Sequence, residues 1–208
     1  MMGVKAVAAE KAMPVPGRGV TLRAAVSRDA EDLGRMFSRC SAETIYLRFH
    51  SPYPRIPRTM LDRMADVDPR FGKAFVAEIN GEVIGHAMYA REHEGDLEAD
   101  TAVIVEDAWA SRGVGRRLFA RIREEARRDG VETLLCTTLG DNYRMRDALR
   151  HAFPESRITF SGGVCHIRLP LRLRRKDALV TNVGDGRGKP VRGRRTERAD
   201  EAGREGGP

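Results

Sequence analysis

The chain has 208 residues, of which 41% are hydrophobic and 32% charged, and its formal net charge is +7. This length suits one domain with a single core plus tails, and its apolar runs are too short for a membrane span of about 20 residues. The cysteines Cys40, Cys136 and Cys165 have no metal-ligand spacing and are odd in number, and the histidines are scattered. We therefore expect reduced thiols and no metal.

The two ends of the chain differ in composition from its middle. Residues 1–19 contain one short apolar run without a signal-peptide pattern, which predicts a flexible N-terminal segment and a cytoplasmic protein. Arg174 to Pro208 hold ten Lys/Arg against six Asp/Glu and few apolar residues. Such a composition cannot offset the entropy of ordering, so we expect a disordered, basic, Gly/Arg-rich tail at 172–208. A solubilising role is favoured for this tail over contact with nucleic acid.

The first part of the middle predicts one strand and three helices. Val20 to Ala25 alternates as a strand, and Ser27 or Asp29 caps the helix that follows it to about Cys40. Two more helices cover Ala42 to Phe49 and Arg58 to about Val67. Prolines between these two helices break the chain.

A hairpin, a further strand and a long helix come next. Lys73 to Ile79 and Glu82 to Ala90 pair as a hairpin, because Asn80-Gly81 suits a type I′ turn. A strand from Leu97 to Val105 precedes an amphipathic helix from Gly113 to Arg128. One stripe of that helix carries apolar residues at a spacing of four, which predicts burial. Its members are Val114, Leu118, Ile122 and Ala126.

The last part of the middle predicts an interior strand, a helix and a closing hairpin. Val131 to Leu139 is a nearly continuous apolar run, typical of a strand covered on both faces. Asn142 to His151 is helical, and Ile158 to Phe160 pairs with Val164 to Leu169. The order β α α α β β β α β α β β predicts one α/β (α+β) domain over residues 20–171. Its mixed, mostly antiparallel sheet has about six to seven strands flanked by helices.

The block from Ala102 to Leu118 carries the chemistry, because a strand runs through a glycine-bearing turn directly into a helix. Gly113 and Gly115 let the backbone approach an anion, and the first N–H groups of the helix lack intrahelical acceptors. Positive charge is added at the same point by Arg112, Arg116 and Arg117. This pattern favours a diphosphate site, although the same turn also occurs without a ligand.

Three segments resemble one family. Ala110-Ser-Arg-Gly-Val-Gly115 resembles the acyl-CoA-binding motif of the GNAT superfamily of N-acetyltransferases, usually written Gln/Arg-x-x-Gly-x-Gly/Ala, and departs from it at Ala110. Ser41 to Pro52 is similar to the start of bacterial protein lysine acetyltransferases of the Pat type, in which Ser-x-Glu/Gln-Ser-x-Tyr-x-Arg-Phe precedes prolines. Cys136 to Met145 resembles the later strand-to-helix segment of the family.

The resemblance implies an acetyl-CoA-dependent N-acetyltransferase, with acetyl-CoA as co-substrate and a sheet whose fourth and fifth strands splay to receive the pantetheine. A protein lysine is the favoured acceptor because of the Pat-like segment. A small-amine acceptor, a catalytically weak CoA-binding regulatory module, and a monomer or homodimer all stay open. The residues expected to contact acetyl-CoA are Ile104, Val105, Arg112, Gly113, Val114, Gly115, Arg116, Arg117, Asn142 and Met145.

The same resemblance points to a general base. Attack on the thioester needs a neutral amine, and deprotonating a lysine of pKa about 10.4 at pH 7 costs roughly 4.6 kcal/mol. Asp100 stands where Pat-like enzymes have a catalytic Glu, and Glu98 lies two residues earlier on the same strand face. Asp100 is the first candidate and Glu98 the second. The family's tyrosine acid is replaced by Leu149, and Cys136 is expected to be a buried thiol, so direct transfer is predicted.

Overall fold

The computed structural model describes residues 19–171; the segments 1–18 and 172–208, with the predicted flexible start and basic tail, lie outside these residues. The strands are β1 Thr21–Ala24, β2 Gly72–Ile79, β3 Glu82–Ala90, β4 Glu98–Val105, β5 Thr133–Leu139, β6 Arg157–Ser161 and β7 Val164–Pro170. The helices are α1 Asp29–Ser38, α2 Ala42–Phe49, α3 Arg58–Ala65, α4 Val114–Arg128 and α5 Tyr143–Ala152. A short 3-10 turn, which the sequence analysis missed, covers Asp107–Trp109.

The strands form one seven-stranded sheet in the order β1-β2-β3-β4-β5-β7-β6. Neighbouring strands run antiparallel except β4 and β5, which run parallel and are connected through α4. A parallel pair needs such a crossover connection, whereas the antiparallel pair β2–β3 is closed by a tight turn. The predicted mixed, mostly antiparallel sheet is confirmed.

The β2–β3 hairpin forms at the predicted turn. Asn80 and Gly81 both have positive φ, 51° and 79°, as a type I′ turn requires. The strands on either side are in register up to Gly72 opposite Ala90, with one irregularity at Ala77 and Glu78.

Helices cover both faces of the sheet and form two cores. One core joins α1, α2 and α3 to side chains such as Val76 and Ile104. The other joins α4 and α5 to the opposite face, where Leu134 and Ile167 are buried. The whole predicted stripe of α4 is buried, and each large aliphatic side chain so buried contributes about 1.5–3 kcal/mol. Its members are Val114, Leu118, Ile122 and Ala126.

Two predictions about these elements were wrong in detail. β5 is an interior strand as expected, but it is not covered on both faces, since Thr137 is exposed and Leu135, on the same face, is only half-buried. Its open face borders a pocket, and that pocket explains an apolar run without full burial. α3 ends at Ala65, before Val67, because Asp66 already has a non-helical backbone.

Among residues 19–171, no helix combines the length and the apolar character that crossing a membrane requires.

Candidate active site

The sheet opens between β4 and β5. Their pairing ends at Asp100 opposite Leu135, while β4 stays paired with β3 to Val105 and β5 stays paired with β7 to Leu139. A pocket of about 450 Å³ lies where the two strands separate. The splayed pair implied by the resemblance is therefore present, and backbone groups of both strands face the gap, where a ligand can satisfy them.

Five elements contribute to the walls of this pocket. They are the end of α2, the strands β3, β4 and β5, and the start of α5. The polar or reactive side chains that line it are Arg48, His50, Asp100, Thr101, Cys136, Thr137, Thr138, Asn142 and Met145.

Asp100, the first candidate for the base, lines the pocket. Among the described residues its carboxylate has no hydrogen bond or ion pair. Desolvation raises the pKa of Asp100 above its ordinary value, and the negative charge of Glu92 raises it further. A higher pKa brings an aspartate closer to the range in which it accepts a proton effectively.

Glu98, the second candidate, is held elsewhere. Its Oε2 accepts a hydrogen bond from Arg168 Nη1 at 3.0 Å, and a second contact joins Oε1 to Nη2. Both side chains are about half exposed, so this ion pair contributes at most about 1 kcal/mol. Glu98 is not among the residues that line the pocket. The geometry thus favours Asp100, and the choice of base stays a prediction.

The turn before α4 has the form of an anion cradle. Gly113 precedes the helix with φ +80°, and its carbonyl accepts the N–H of Arg117 at 3.1 Å. The earlier N–H groups, those of Val114, Gly115 and Arg116, have no helical carbonyl within reach and lie at the positive end of the helix dipole. These three donors suit a diphosphate.

The three arginines of this turn differ in their surroundings. The Cζ of Arg112 lies 5.3 Å from the centroid of the Trp109 ring. Arg116 is exposed on the first turn of α4. Arg117 Nη2 instead donates to the carbonyl oxygen of Val20 at 2.9 Å. Its side chain therefore holds α4 against the start of β1, which the sequence analysis did not foresee.

The remaining predicted contacts lie along the cleft. Ile104 is buried in the core beneath α1–α3, and Val105 packs against the core beneath α4, so each offers its backbone rather than its side chain. Asn142 and Met145 both line the pocket. The Oδ1 of Asn142 accepts the N–H of Met145 at 3.1 Å and so begins α5.

The start of α2 is tied to the end of β4. Asp107 accepts hydrogen bonds from Ser41 N at 2.7 Å, Ser41 Oγ at 2.9 Å and Thr44 Oγ1 at 2.7 Å. Burial opposes the charge of Asp107, but these hydrogen bonds hold its pKa below the ordinary value. The anchor fixes α2 across the cleft and brings Arg48 and His50 to the pocket.

Arg48 and His50 received no role in the sequence analysis. The signal for them was the Tyr46-Leu-Arg48-Phe49 pattern, which was used only as a mark of family resemblance. Nothing in that pattern shows that the end of α2 faces the gap between β4 and β5, because this depends on the anchor at Asp107.

Cys136 was expected to be a buried thiol. It is instead half-buried, and it lines the pocket. Burial raises its pKa to about 11, so it is a neutral thiol at pH 7 and a poor nucleophile. Leu149 is buried where the family has its tyrosine. Among the described residues, no group of three or more His, Cys, Asp or Glu could hold a metal ion.

Comparison with known proteins places this geometry in a family. The model of the acetyltransferase (GNAT) family matches residues 39–153. That range contains α2, the cleft, the turn before α4 and the start of α5.

Individual relatives are consistent with the match to this family. The chain is 32% identical over 108 residues to acetyltransferase Pat of Mycolicibacterium smegmatis, a match that covers 51% of this chain and 32% of that protein. It thus spans about a third of the length of that relative. The GNAT domain of S. lividans PAT superimposes with a TM-score of 0.67 and 28% identity, over 73% of this chain and 90% of that one.

A more distant structure shares the fold. The GNAT superfamily phosphinothricin acetyltransferase (Pat) from Sinorhizobium meliloti, solved in complex with acetyl-CoA, has a TM-score of 0.58 and 16% identity. The match covers 73% of this chain and 88% of that one.

Proposed function

This chain belongs to the acetyltransferase (GNAT) family, and we propose that it transfers acetyl from acetyl-CoA directly to the side-chain amine of a protein lysine. We assign this activity to the domain at residues 20–171. The observation that carries the proposal is the cleft between β4 and β5, with Asp100 in its wall and the α4 turn at its end.

Acetyl-CoA fits this arrangement as a substrate. The backbone edges of β4 and β5 beyond Asp100 supply donors and acceptors for an extended pantetheine, beside Ile104 and Val105. Asn142 and Met145 border the same gap. The N–H groups of Val114, Gly115 and Arg116, together with the charges of Arg112 and Arg116, are placed to hold the diphosphate.

Asp100 acts as the general base. It takes a proton from the lysine ammonium, directly or through one water, because aspartate is a methylene shorter than the glutamate of Pat-like enzymes. The amine nitrogen then bonds to the thioester carbonyl carbon, the C–S bond breaks, and the thiolate leaves. The nitrogen releases its second proton to solvent, and the thiolate takes up a proton, so the products are the amide and the CoA thiol. A thiol of ordinary pKa is a good enough leaving group to depart without an acid, which agrees with Leu149 in place of a tyrosine.

The preference for a protein lysine rests on similarity. The 32% identical relative is an acetyltransferase named Pat, and Ser41 to Pro52 resembles the corresponding segment of Pat-type protein acetyltransferases. In the structure this segment forms α2, and its end contributes to one wall of the pocket. A small amine is the competing acceptor.

The proposal is tested by acetyl transfer with two carboxylate variants. Asp100→Asn should lower kcat/KM on lysine substrates by about 100-fold or more, since a general base contributes at least that much. Glu98→Gln, the matched control on the same strand, should change kcat/KM by less than about threefold, because Glu98 is engaged by Arg168.

Steady-state assays would compare protein and peptide lysines with polyamines and aminoglycosides. Equal loss in both variants, or a larger loss in Glu98→Gln, would contradict the role of Asp100. Turnover of small amines alone would contradict the choice of a protein lysine.

A further inference from the structure

Among the described residues, Arg48 is a cation in the pocket wall without a counter-ion. Its Nε is shielded from solvent and has no hydrogen-bond partner in that part of the chain. Within residues 19–171, no hydrogen bond or ion pair reaches its guanidinium group. The ring of Phe49, whose centroid lies 4.8 Å from Cζ, contacts it on one side. A ring contact offsets only part of the cost of burying a charge, so the site favours an anion from outside the chain.

The groups around Arg48 do not neutralise it. Desolvation lowers the pKa of Arg48. The electrostatic contribution of Cys136 acts in the opposite direction and raises that pKa. Burial lowers the pKa values of His50 and His86, and the charge of Arg48 lowers both further, although the hydrogen bond of His86 to the Met64 carbonyl opposes the shift of His86. Both imidazoles are therefore neutral at pH 7. Asp100 lines the same pocket but is not bonded to Arg48 in the described structure.

His50 offers a second polar group beside Arg48. It ends α2 in the left-handed conformation with φ 54°, and its backbone N–H bonds the carbonyl oxygen of Tyr46 at 2.8 Å. Its Nε2 is shielded from solvent without a partner, and the residue lines the pocket. A neutral imidazole can donate one hydrogen bond, so the guanidinium and the imidazole together form a site for an acceptor oxygen.

We propose that Arg48, assisted by His50, binds a carboxylate of the acceptor, so that the enzyme selects a lysine with an acidic residue beside it in the sequence. The inference rests on the proposed function. A carboxylate matches the planar guanidinium through two parallel hydrogen bonds. Asp100 receives the amine in the same pocket. The pocket therefore presents a carboxylate to the lysine amine and a guanidinium to the neighbouring acidic side chain.

The test uses two capped peptides that differ only in whether Glu or Gln flanks the lysine on both sides. Wild-type protein should prefer the Glu peptide by about tenfold or more in kcat/KM, mainly through KM, as expected for a charge-assisted hydrogen bond. Arg48→Gln should abolish the preference, measured as the ratio of kcat/KM for the two peptides. Arg48→Lys keeps the charge but loses the two parallel donors of the guanidinium group. This variant should therefore retain part of the preference for the Glu peptide.

Arg63→Gln is the matched control, because Arg63 is an exposed arginine on α3 outside the pocket. This variant should keep the full preference. Thermal unfolding of each variant checks the fold, and Arg48→Gln is expected to be at least as stable as wild type, because it removes a half-buried charge that has no counter-ion among the described residues. An equal rate on both peptides in wild type, or an unchanged preference in Arg48→Gln, would overturn the inference.

Free lysine and lysinamide form a further arm of the test. A preference for free lysine that depends on Arg48, without one for the Glu peptide, would locate the carboxylate on a small substrate and contradict the selection of a flanking acidic residue. If no peptide is acetylated, the proposed function fails. Calorimetric titration of both peptides into the acetyl-CoA-loaded protein then decides the inference, which requires tighter binding of the Glu peptide that Arg48→Gln removes.

Discussion

Asp100 and Arg48 show how two charged residues of one pocket acquire different properties from their surroundings. Neither is paired with the other or with a further residue in the described structure. Desolvation raises the pKa of the carboxylate and lowers that of the guanidinium, as it disfavours the charged form of each. The aspartate becomes a stronger base, whereas the arginine stays charged because its ordinary pKa is above 12.

The charge of Glu92 gives a pH prediction. It contributes to the raised pKa of Asp100, after desolvation. The base is active when deprotonated, so kcat/KM should rise with pH through the pKa of Asp100, at a higher pH than an ordinary aspartate would give. Glu92→Gln should move this acid limb to lower pH, and a pH profile of kcat/KM at low salt measures the shift.

Glu94→Gln is the control for that profile, because Glu94 is an exposed glutamate of the same loop that does not raise the pKa of Asp100. Its acid limb should coincide with that of wild type. If the acid limb of the kcat/KM profile does not shift in Glu92→Gln, or shifts equally in both variants, Asp100 is not the titrating base.

Sequence reasoning found some of the pocket residues and missed others for physical reasons. Asp100, Asn142 and Met145 were predicted because they match family motifs at fixed positions, and all three line the pocket. Arg48 was present in a quoted motif, but its lack of a partner is a property of the packed structure. The apolar neighbours of Cys136 in sequence predict a buried thiol; it does pack against the core, but it is only half-buried because it also borders the pocket.

At the scale of elements, the two glycines at the start of α4 differ in backbone conformation and surroundings. Gly113 has φ +80°, where a side chain is strained, and has no atom within 4 Å of an added Cβ. Gly115 has no such φ, and a Cβ there would lie 3.6 Å from Val105 Cγ2, an ordinary contact. The backbone therefore favours glycine at the first position but not at the second.

This difference predicts that Gly115→Ala is tolerated. Alanine favours a helix by up to about 1 kcal/mol over glycine, so thermal unfolding should show an unchanged or higher midpoint. The affinity for acetyl-CoA should stay within about threefold of wild type, because Gly115 contributes its backbone N–H.

Loss of acetyl-CoA binding in this variant, with the fold intact, would mean that the ligand occupies the space of the new methyl group. The proposed contact through the backbone alone would then be wrong.

Local patterns predicted the elements whose signal is contained within a few residues. The Asn80-Gly81 turn and the apolar stripe of α4 are of this kind, and both are confirmed. The 3-10 turn at Asp107–Trp109 carries no comparable pattern. It forms where Asp107 meets Ser41 and Thr44, which are distant in sequence.

The whole molecule is arranged around an interruption in its sheet. β4 keeps its pairing with β3 along its length but leaves β5 after Asp100, and the pocket occupies the gap. α2 and α5 border the gap, and α4 begins at the turn that follows β4. The fold thereby brings Asp100, the candidate base, and an open strand edge to one cleft, and α4 begins at the turn beyond the end of β4.

The composition and element order predicted the class of sheet but not this gap. The point at which β4 and β5 separate depends on long-range packing, and the residues on either side of Asp100 give no local sign of it. The gap was expected only because the Gly113 turn and two further segments resemble those of one family. The proposed boundaries at residues 19/20 and 171/172 rest on composition and stay a prediction.

Calorimetric titration of acetyl-CoA into wild type, Gly113→Glu and Gly130→Glu tests the central claim most directly. Gly113 and Gly130 flank α4, both have φ +80° and both have open space around an added Cβ, so the two substitutions carry a similar strain of about 1 kcal/mol. We predict that wild type and Gly130→Glu bind acetyl-CoA with similar affinity, and that the carboxylate in Gly113→Glu repels the diphosphate and abolishes binding. Equal binding by all three proteins, or none by wild type, would contradict the placement of acetyl-CoA in this cleft.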